Sequence, residues 1–174
     1  IETAQQFHKD GSRDQARANY EQALTGAGDK DQVDKIAQAL EGLGKKIDIV
    51  RHFGLLTKWQ VIGPFDNRGL KGFDAVYPPE QQLDLDAQYD GQLGPVRWKE
   101  YVADSQDGLF DIGKLIENYK GSAMYAATTF AVEREQPVEF RLTTKNAWKL
   151  WVNGELLFAR EEYHRGIIFD QYRV

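Results

Sequence analysis

Apolar and polar residues alternate most clearly over residues 148–158, which read WKLWVNGELLF. The pair Asn153-Gly154 interrupts the alternation, and both residues suit the positive φ angles of a two-residue type I′ turn. The pattern therefore predicts a β-hairpin with a fixed pairing of its two strands. The expected cross-strand pairs include Trp151 with Leu156, Leu150 with Leu157 and Lys149 with Phe158. Phe158 is then expected on the face opposite Trp148, and because both faces are mostly apolar, the hairpin is expected deep in a β-sandwich.

Residues 1–56 show the period of an α-helix instead of alternation. Ser12 and Asp29 are each followed three residues later by glutamine, which is the capping-box signal for the start of a helix. Apolar residues then recur at intervals of three and four, at Ala16, Tyr20, Ala23 and Leu24 and again at Val33, Ile36, Ala37, Leu40 and Leu43. Glycines follow both stripes. The pattern predicts an αα-hairpin, with a short third helix at 45–53.

This helical pair is similar to the repeating unit of tetratricopeptide and HEAT proteins. A single pair cannot bury its own apolar stripe. We therefore expect it to pack on the next domain or to continue a repeat array.

From residue 57 onward, short apolar-polar alternations are separated by glycine, proline and aspartate. They predict strands at 58–62, 96–102, 123–132, 138–143 and 167–174, in addition to the hairpin. Long irregular loops are expected over 63–95, and a turn with one helical turn over 107–119. The fold class predicted is α+β, with a helical domain of residues 1–56 followed by an antiparallel β-sandwich of residues 57–174.

The order of these motifs resembles the galactose-binding-like jelly-roll modules of large exported bacterial proteins. The resemblance is carried by residues 59–80 (WQVIGPFDNRGLKGFDAVYPPE) and by the WVNG turn of the hairpin. It implies a jelly-roll fold, a carbohydrate-binding accessory role and an extracellular or periplasmic location. Modules of that family continue into a last strand announced by a Leu-x-x-Gly-x-Asn segment. That segment is absent here, so we expect a fragment lacking its last strand.

Composition narrows the range of functions. The net charge of −5, with no stripe of lysine and arginine, argues against nucleic-acid binding. The sequence has no apolar run long enough to span a membrane, and the absence of cysteine excludes disulfides and thiolate chemistry. No nucleophile elbow and no paired-histidine motif is present, so the sequence favours a protein that is not an enzyme.

Sugar binding requires an aromatic surface with a few polar groups that fix the hydroxyls. Residues 160–165 (REEYHR) combine an aromatic ring, a histidine, two acids and two arginines. The candidate ligand-binding residues are Asn146, Trp148, Arg160, Tyr163, His164 and Arg165. The alternative is a solvated loop with internal ion pairs, and a strand tryptophan that fills the core.

A structural calcium ion is a further candidate, at Asp66, Asn67 and Asp74 in the loop DNRGLKGFD. The alternative for this loop is an Asx turn after the proline, with no metal. The function expected is a carbohydrate-binding module whose partners are a glycan and the flanking domains of the parent protein. A structural spacer or interaction module that packs against those domains is the alternative.

Overall fold

The computed structural model describes residues 1–116 and 120–174, so part of the turn predicted at 107–119 lies outside the described residues. The chain as a whole contains both α-helices and β-strands, and it divides into two units. The helical unit comprises Ile1–Leu56 with Ser105–Gly108, and the strand unit comprises Thr57–Asp104 with Leu109–Val174. No helix in the described ranges is both long and apolar enough to cross a membrane.

The helical unit is built from amphipathic helices that share one core. Its helices are α1 (Glu2–Lys9), α2 (Arg13–Thr25), α3 (Lys30–Gly42) and α4 (Ile49–Phe53). The Asp29 carboxylate caps α3 by accepting the Gln32 N–H at 3.0 Å, as the capping box predicts. Ser12 occupies the N-cap of α2, but its hydroxyl forms no cap hydrogen bond.

The predicted helical stripes, apart from Ala37, are confirmed as the core of this unit. The buried side chains include Ala16, Tyr20, Val33, Ile36, Leu40 and Leu43. Ala23 and Leu24 are half-buried and pack against them. Burial of this stripe supplies the apolar contact that short helices need for stability in water.

A three-stranded antiparallel sheet forms the centre of the strand unit. Its middle strand β1 (Lys58–Asp66) pairs with β4 (Lys99–Val102) on one side and β5 (Ser122–Ala127) on the other. The prediction that β1 ends before Gly63-Pro64 is wrong. The register shifts between Ile62 and Phe65, and this irregularity takes the proline out of the hydrogen-bonded ladder while the strand continues.

The other strands are short and pair locally. Strand β2 (Gln88–Gly91) pairs with β3 (Gly94–Arg97), and β6 (Arg141–Leu142) pairs with β9 (Tyr172–Arg173). The single strand predicted at 96–102 is therefore wrong, because β3 and β4 separate at Trp98 and join different sheets. The predicted strand at 123–132 ends at Ala127.

The loops predicted over 63–95 contain more regular structure than expected. A 3-10 turn covers Arg68–Leu70 and helix α5 covers Pro78–Gln81, ahead of β2. Helix α6 follows at Ile112–Ile116. Proline at the first position of α5 has the φ angle that a helix requires and no N–H to leave unpaired.

The hairpin at 148–160 forms with the predicted turn. Strands β7 (Trp148–Val152) and β8 (Glu155–Arg160) flank Asn153 and Gly154, whose φ angles are 54° and 84°. The pairing of Trp151 with Leu156 is confirmed, but Leu150 lies opposite Phe158 rather than Leu157. A bulge at Leu157 causes this difference, and it moves Phe158 to the face of Trp148.

The expected burial of the hairpin is wrong for β8. Leu156 and Leu157 are 49% and 45% exposed, whereas every residue of β7 is half-buried. The described strands form small antiparallel sheets of two and three strands, and β7 pairs only with β8 among them. Leu156 and Leu157 consequently face solvent, whereas Phe158 is half-buried.

Candidate functional site

An aromatic stack and a pair of arginines border the end of the hairpin. We call this surface the aromatic–arginine rim. Its members are Trp148, Phe158, Arg160, Glu162, Arg165 and Tyr172. They come from β7, β8, β9 and the loop that follows β8.

Trp148 is the centre of the aromatic part of the rim. Its ring stacks on Phe158 with 4.9 Å between the ring centroids and lies 5.1 Å from the ring of Tyr172. The bulge at Leu157 makes the stack because it places Phe158 diagonally across from Trp148 on one face. Trp148 is half-buried, and its indole Nε1 is buried without a hydrogen-bond partner among the described residues.

The two arginines are held by one carboxylate. Arg160 Nε lies 3.1 Å from Glu162 Oε2, and Arg165 Nε lies 3.6 Å from the same oxygen. The Glu162 side chain is only 12% exposed, whereas that of Arg165 is 57% exposed. The Arg160 guanidinium also lies 5.3 Å from the centroid of the Tyr172 ring, which adds a cation–π contact.

Backbone contacts tie the loop after β8 to the segment that precedes β7. The Arg165 N–H donates to the Lys145 carbonyl at 2.9 Å, and the His164 N–H donates to Asn146 Oδ1 at 3.4 Å. His164 has a φ of 58°, a left-handed conformation that turns the loop at this point. Asn146, His164 and Arg165 are thereby brought to the same place.

Tyr163 completes the predicted set. Its hydroxyl donates to Glu161 Oε1 at 3.5 Å. Burial raises the pKa of the Tyr163 phenol, and the negative charge of Glu161 adds to the shift.

The structure therefore brings together most of the residues that the sequence singles out, and the internal ion pairs of the alternative interpretation are also present. The sequence analysis did not select Phe158, Glu162 or Tyr172. A bulge could not be read from the alternation, and Tyr172 lies on a two-residue strand far along the chain. The even mixture of acids and bases in residues 160–165 gave no sign that Glu162 is the buried member.

The loop proposed for calcium is organised by hydrogen bonds within the chain. Asp66 Oδ1 accepts the backbone N–H of Arg68 at 3.0 Å, which is an Asx turn, and Oδ2 accepts Arg68 Nη2 at 2.6 Å. Asn67 Oδ1 accepts the Gly72 N–H at 2.7 Å, and Asp74 is exposed. Within residues 1–116 and 120–174, no group of three or more acidic or histidine side chains is arranged to hold a metal ion.

Replacing Asp66 by asparagine tests this loop through pH. Hydrogen bonds from Arg68 lower the pKa of Asp66 to about 2, so its ionised form is favoured by folding. The resulting stability is present above the unfolded pKa of about 4 and is lost as pH falls toward 2. Urea titrations from pH 6 to pH 2 should show Asp66→Asn less stable than wild type at pH 6, with the difference vanishing in acid.

Asp90→Asn, which removes an exposed carboxylate on β2, controls for the general effect of charge. A difference between wild type and Asp66→Asn that stays constant with pH would contradict the Arg68 contact.

A second polar group, the Glu80 cluster, lies among aromatic rings of the strand unit. It consists of Phe73, Glu80, Tyr125, Lys149 and Trp151. Glu80 accepts a hydrogen bond from the Tyr125 hydroxyl through Oε1, and Lys149 Nζ lies 3.4 Å from Oε2. The side chains of Lys149 and Glu80 are only 17% and 9% exposed.

The ammonium of Lys149 is further stabilised by two rings. It lies 5.3 Å from the ring centroid of Phe73 and 5.8 Å from that of Trp151. Burial raises the pKa of the Tyr125 phenol, and its hydrogen bond to Glu80 adds to this shift. The sequence gave no signal for this cluster, because Glu80 is 45 residues from Tyr125 and 69 from Lys149.

Both oxygens of Glu80 are engaged, so this carboxylate is an anchor that ties α5 to β5 and β7. Lys149 is adjacent in sequence to Trp148, and the two side chains point to opposite faces of β7. The Glu80 cluster therefore fixes the strand that carries the centre of the aromatic–arginine rim.

Comparison of the chain with protein-family models, with curated proteins and with solved structures found no match in any of the three. Its function has to be inferred from its own residues.

Proposed function

We propose that this chain is a non-catalytic, carbohydrate-binding accessory module of a larger exported bacterial protein, acting outside the cell or in the periplasm. The strand unit would belong to the galactose-binding-like jelly-roll class, and the helical unit would be a tetratricopeptide- or HEAT-like pair. Its partners would be a glycan and the flanking domains of the parent protein.

The observation that supports this proposal is the Trp148–Phe158 stack with polar groups at its border. Sugars present apolar C–H faces that pack on aromatic rings, and hydroxyls that need fixed donors and acceptors. Arg160, His164 and Asn146 supply such groups. Arg160 lies near the Tyr172 ring, which also contacts Trp148, and the His164 N–H donates to Asn146 Oδ1. The loop that carries His164 is held to the segment before β7 by the hydrogen bond from the Arg165 N–H to the Lys145 carbonyl, which reduces the entropy lost on binding.

The Asp66 loop has a different role in this proposal. A calcium ion bound by Asp66, Asn67 and Asp74 would have to displace Arg68 from the Asp66 carboxylate. We therefore propose the Asx turn, rather than a structural calcium ion, as the feature that organises this loop.

Replacing Trp148 by phenylalanine tests the proposed function. The smaller ring reduces the stacking surface, and we expect affinity for the bound glycan to fall about twofold to tenfold, since an aromatic contact contributes about 0.5–1.5 kcal/mol. Calorimetric titration with a panel of soluble polysaccharides, neutral and charged, would measure it.

Trp98→Phe is a matched control for this experiment. Trp98 is also half-buried, and its indole Nε1 is likewise buried without a hydrogen-bond partner in the described part of the chain. Both variants should lose a similar amount of thermal stability, and only Trp148→Phe should lose affinity. Equal affinities for the two variants, or no binding of any glycan by wild type, would overturn the proposed function.

The exposed apolar side chains of β8 favour a second candidate, a structural or protein-interaction module. Leu156 and Leu157 are exposed neighbours on β8, which pairs with β7 and with no other described strand. Exposed apolar surface of this kind is typical of contact with another domain. This candidate predicts a stable complex with a flanking domain of the parent protein and no glycan affinity. Leu157→Lys should abolish that complex.

A further inference from the structure

Glu162 contacts both arginines of the rim through their Nε atoms. Its Oε2 is the partner of the Nε atoms of Arg160 and Arg165, and the carboxylate is mostly buried. A guanidinium has five N–H donors in a planar fork, and the Nε edge uses only part of them. The contact with Glu162 therefore involves the Nε edge of each arginine and leaves the Nη edge for other partners.

The terminal Nη atoms of Arg160 and Arg165 favour a ligand with negative charge. No described residue accepts a hydrogen bond from the terminal Nη atoms of Arg160 or Arg165, whereas Arg160 Nε donates to Glu162. The nearby carboxylate of Glu161 accepts from the Tyr163 hydroxyl instead. Paired Nη donors in one plane match the two oxygens of a carboxylate or a sulfate, with which arginine forms bidentate hydrogen bonds.

Fixing these side chains in advance favours binding. A free arginine loses rotamer entropy when it is immobilised by a ligand. Here the hydrogen bond to Glu162 and the Tyr172 ring restrain Arg160, and Arg165 lies 3.6 Å from the same carboxylate oxygen. Glu162 Oε1 is itself buried without a hydrogen-bond partner among the described residues, so this carboxylate is not saturated by the chain alone.

We infer that the glycan bound at the aromatic–arginine rim is acidic, with a carboxylate or sulfate group that the Nη edges of Arg160 and Arg165 recognise. This inference rests on the proposed function and names the class of sugar. The anionic group would be a uronic-acid carboxylate or a sulfate ester. The aromatic stack would hold the face of the sugar ring, and the arginines would select its charge.

The chain as a whole carries a net charge of −5, so long-range attraction does not favour a polyanion. Recognition must therefore come from the local arginine forks, within about 8 Å at physiological salt. This makes the expected preference specific to the rim rather than a property of overall charge.

Two pairs of polysaccharide probes, each pair sharing one backbone, test whether the charge of the glycan determines binding. Dextran and dextran sulfate differ in the sulfate ester, and polygalacturonate and its full methyl ester differ in the free carboxylate. We expect at least one charged probe to bind about tenfold or more tightly than its neutral counterpart at 0.15 M salt, as charge-assisted hydrogen bonds require. Which charged probe binds identifies the source of the anionic group.

Variants of Arg165 assign the preference to the rim. Arg165→Gln should lower affinity for the charged probe about tenfold and affinity for the neutral probe by much less, so that the charged-to-neutral preference shrinks. Arg165→Lys keeps the charge and loses the fork, so it should recover only a small part of the affinity. Arg51→Gln, which removes an exposed arginine of α4 in the helical unit, is the matched control and should bind as wild type does.

The failures of the two proposals are distinguishable. Equal binding of charged and neutral probes, or equal losses in Arg165→Gln and Arg51→Gln, would overturn the acidic-glycan inference and leave the proposed function standing. Absence of binding to all four probes, together with no response to any other polysaccharide, would overturn both.

Discussion

Replacing Lys149 by methionine is expected to lower the free energy of unfolding of the strand unit by about 3 kcal/mol, the lower end of the range for breaking a buried ion pair. Methionine matches the lysine side chain as far as Cε, so the loss comes from removing the charged Nζ that pairs with Glu80 and lies near the Phe73 and Trp151 rings. The Glu80 carboxylate, only 9% exposed, would remain buried without its cation. Urea unfolding followed by tryptophan fluorescence would measure this loss.

Two further variants separate charge from packing. Lys99→Met makes the same change at an exposed position of β4 and should alter stability by no more than about 0.5 kcal/mol. The double variant Glu80→Gln/Lys149→Met removes both charges and keeps an acceptor for the Tyr125 hydroxyl, so it should regain most of the lost stability. A loss below about 1 kcal/mol in Lys149→Met would mean that water screens this pair as it does a surface pair.

The hairpin shows how far alternation predicts structure. Asn153-Gly154 specified the turn correctly, because few residue pairs tolerate two consecutive positive φ angles. The predicted partners of Leu150 and Lys149 are wrong by one residue. Nothing in a run such as Leu156-Leu157 indicates which residue will bulge. That single residue decides whether Phe158 faces Trp148, and with it whether the aromatic stack exists.

The same reasoning explains the other differences in the strand unit. Gly63-Pro64 reads as the end of a strand because proline cannot donate to a ladder. In the fold, a register shift places these residues at an irregularity, and β1 resumes pairing at Phe65 with Ala123. The helical unit was predicted more accurately because its stripes and caps depend on neighbours within a few residues.

The candidate site was predictable in its local part only. Residues close in sequence, such as Arg160, His164 and Arg165, could be selected from one polar-aromatic segment. The buried position of Glu162 and the cluster around Glu80 depend on contacts between distant segments, and a single sequence carries no signal for those. The predicted glycan specificity thus depends on a residue, Glu162, that only the structure distinguishes from Glu161.

Replacing Phe65 by alanine is expected to destabilise the strand unit by about 3–5 kcal/mol, the range for deleting a fully buried phenylalanine. Phe65 is 1% exposed and is the largest fully buried side chain among the described residues. Its ring lies 5.2 Å from that of Tyr77 and 5.6 Å from that of Tyr125, so its loss leaves a cavity beside the Glu80 cluster.

All four tryptophans, at positions 59, 98, 148 and 151, belong to the strand unit, so fluorescence reports its unfolding directly. Phe65→Leu fills more of the cavity and should lose less than half as much stability as Phe65→Ala. Because Tyr125 binds Glu80 and Glu80 binds Lys149, the cavity should also weaken the effect of Lys149→Met. Strictly additive losses in the Phe65→Ala/Lys149→Met double variant would show instead that the ring and the ion pair stabilise the unit independently.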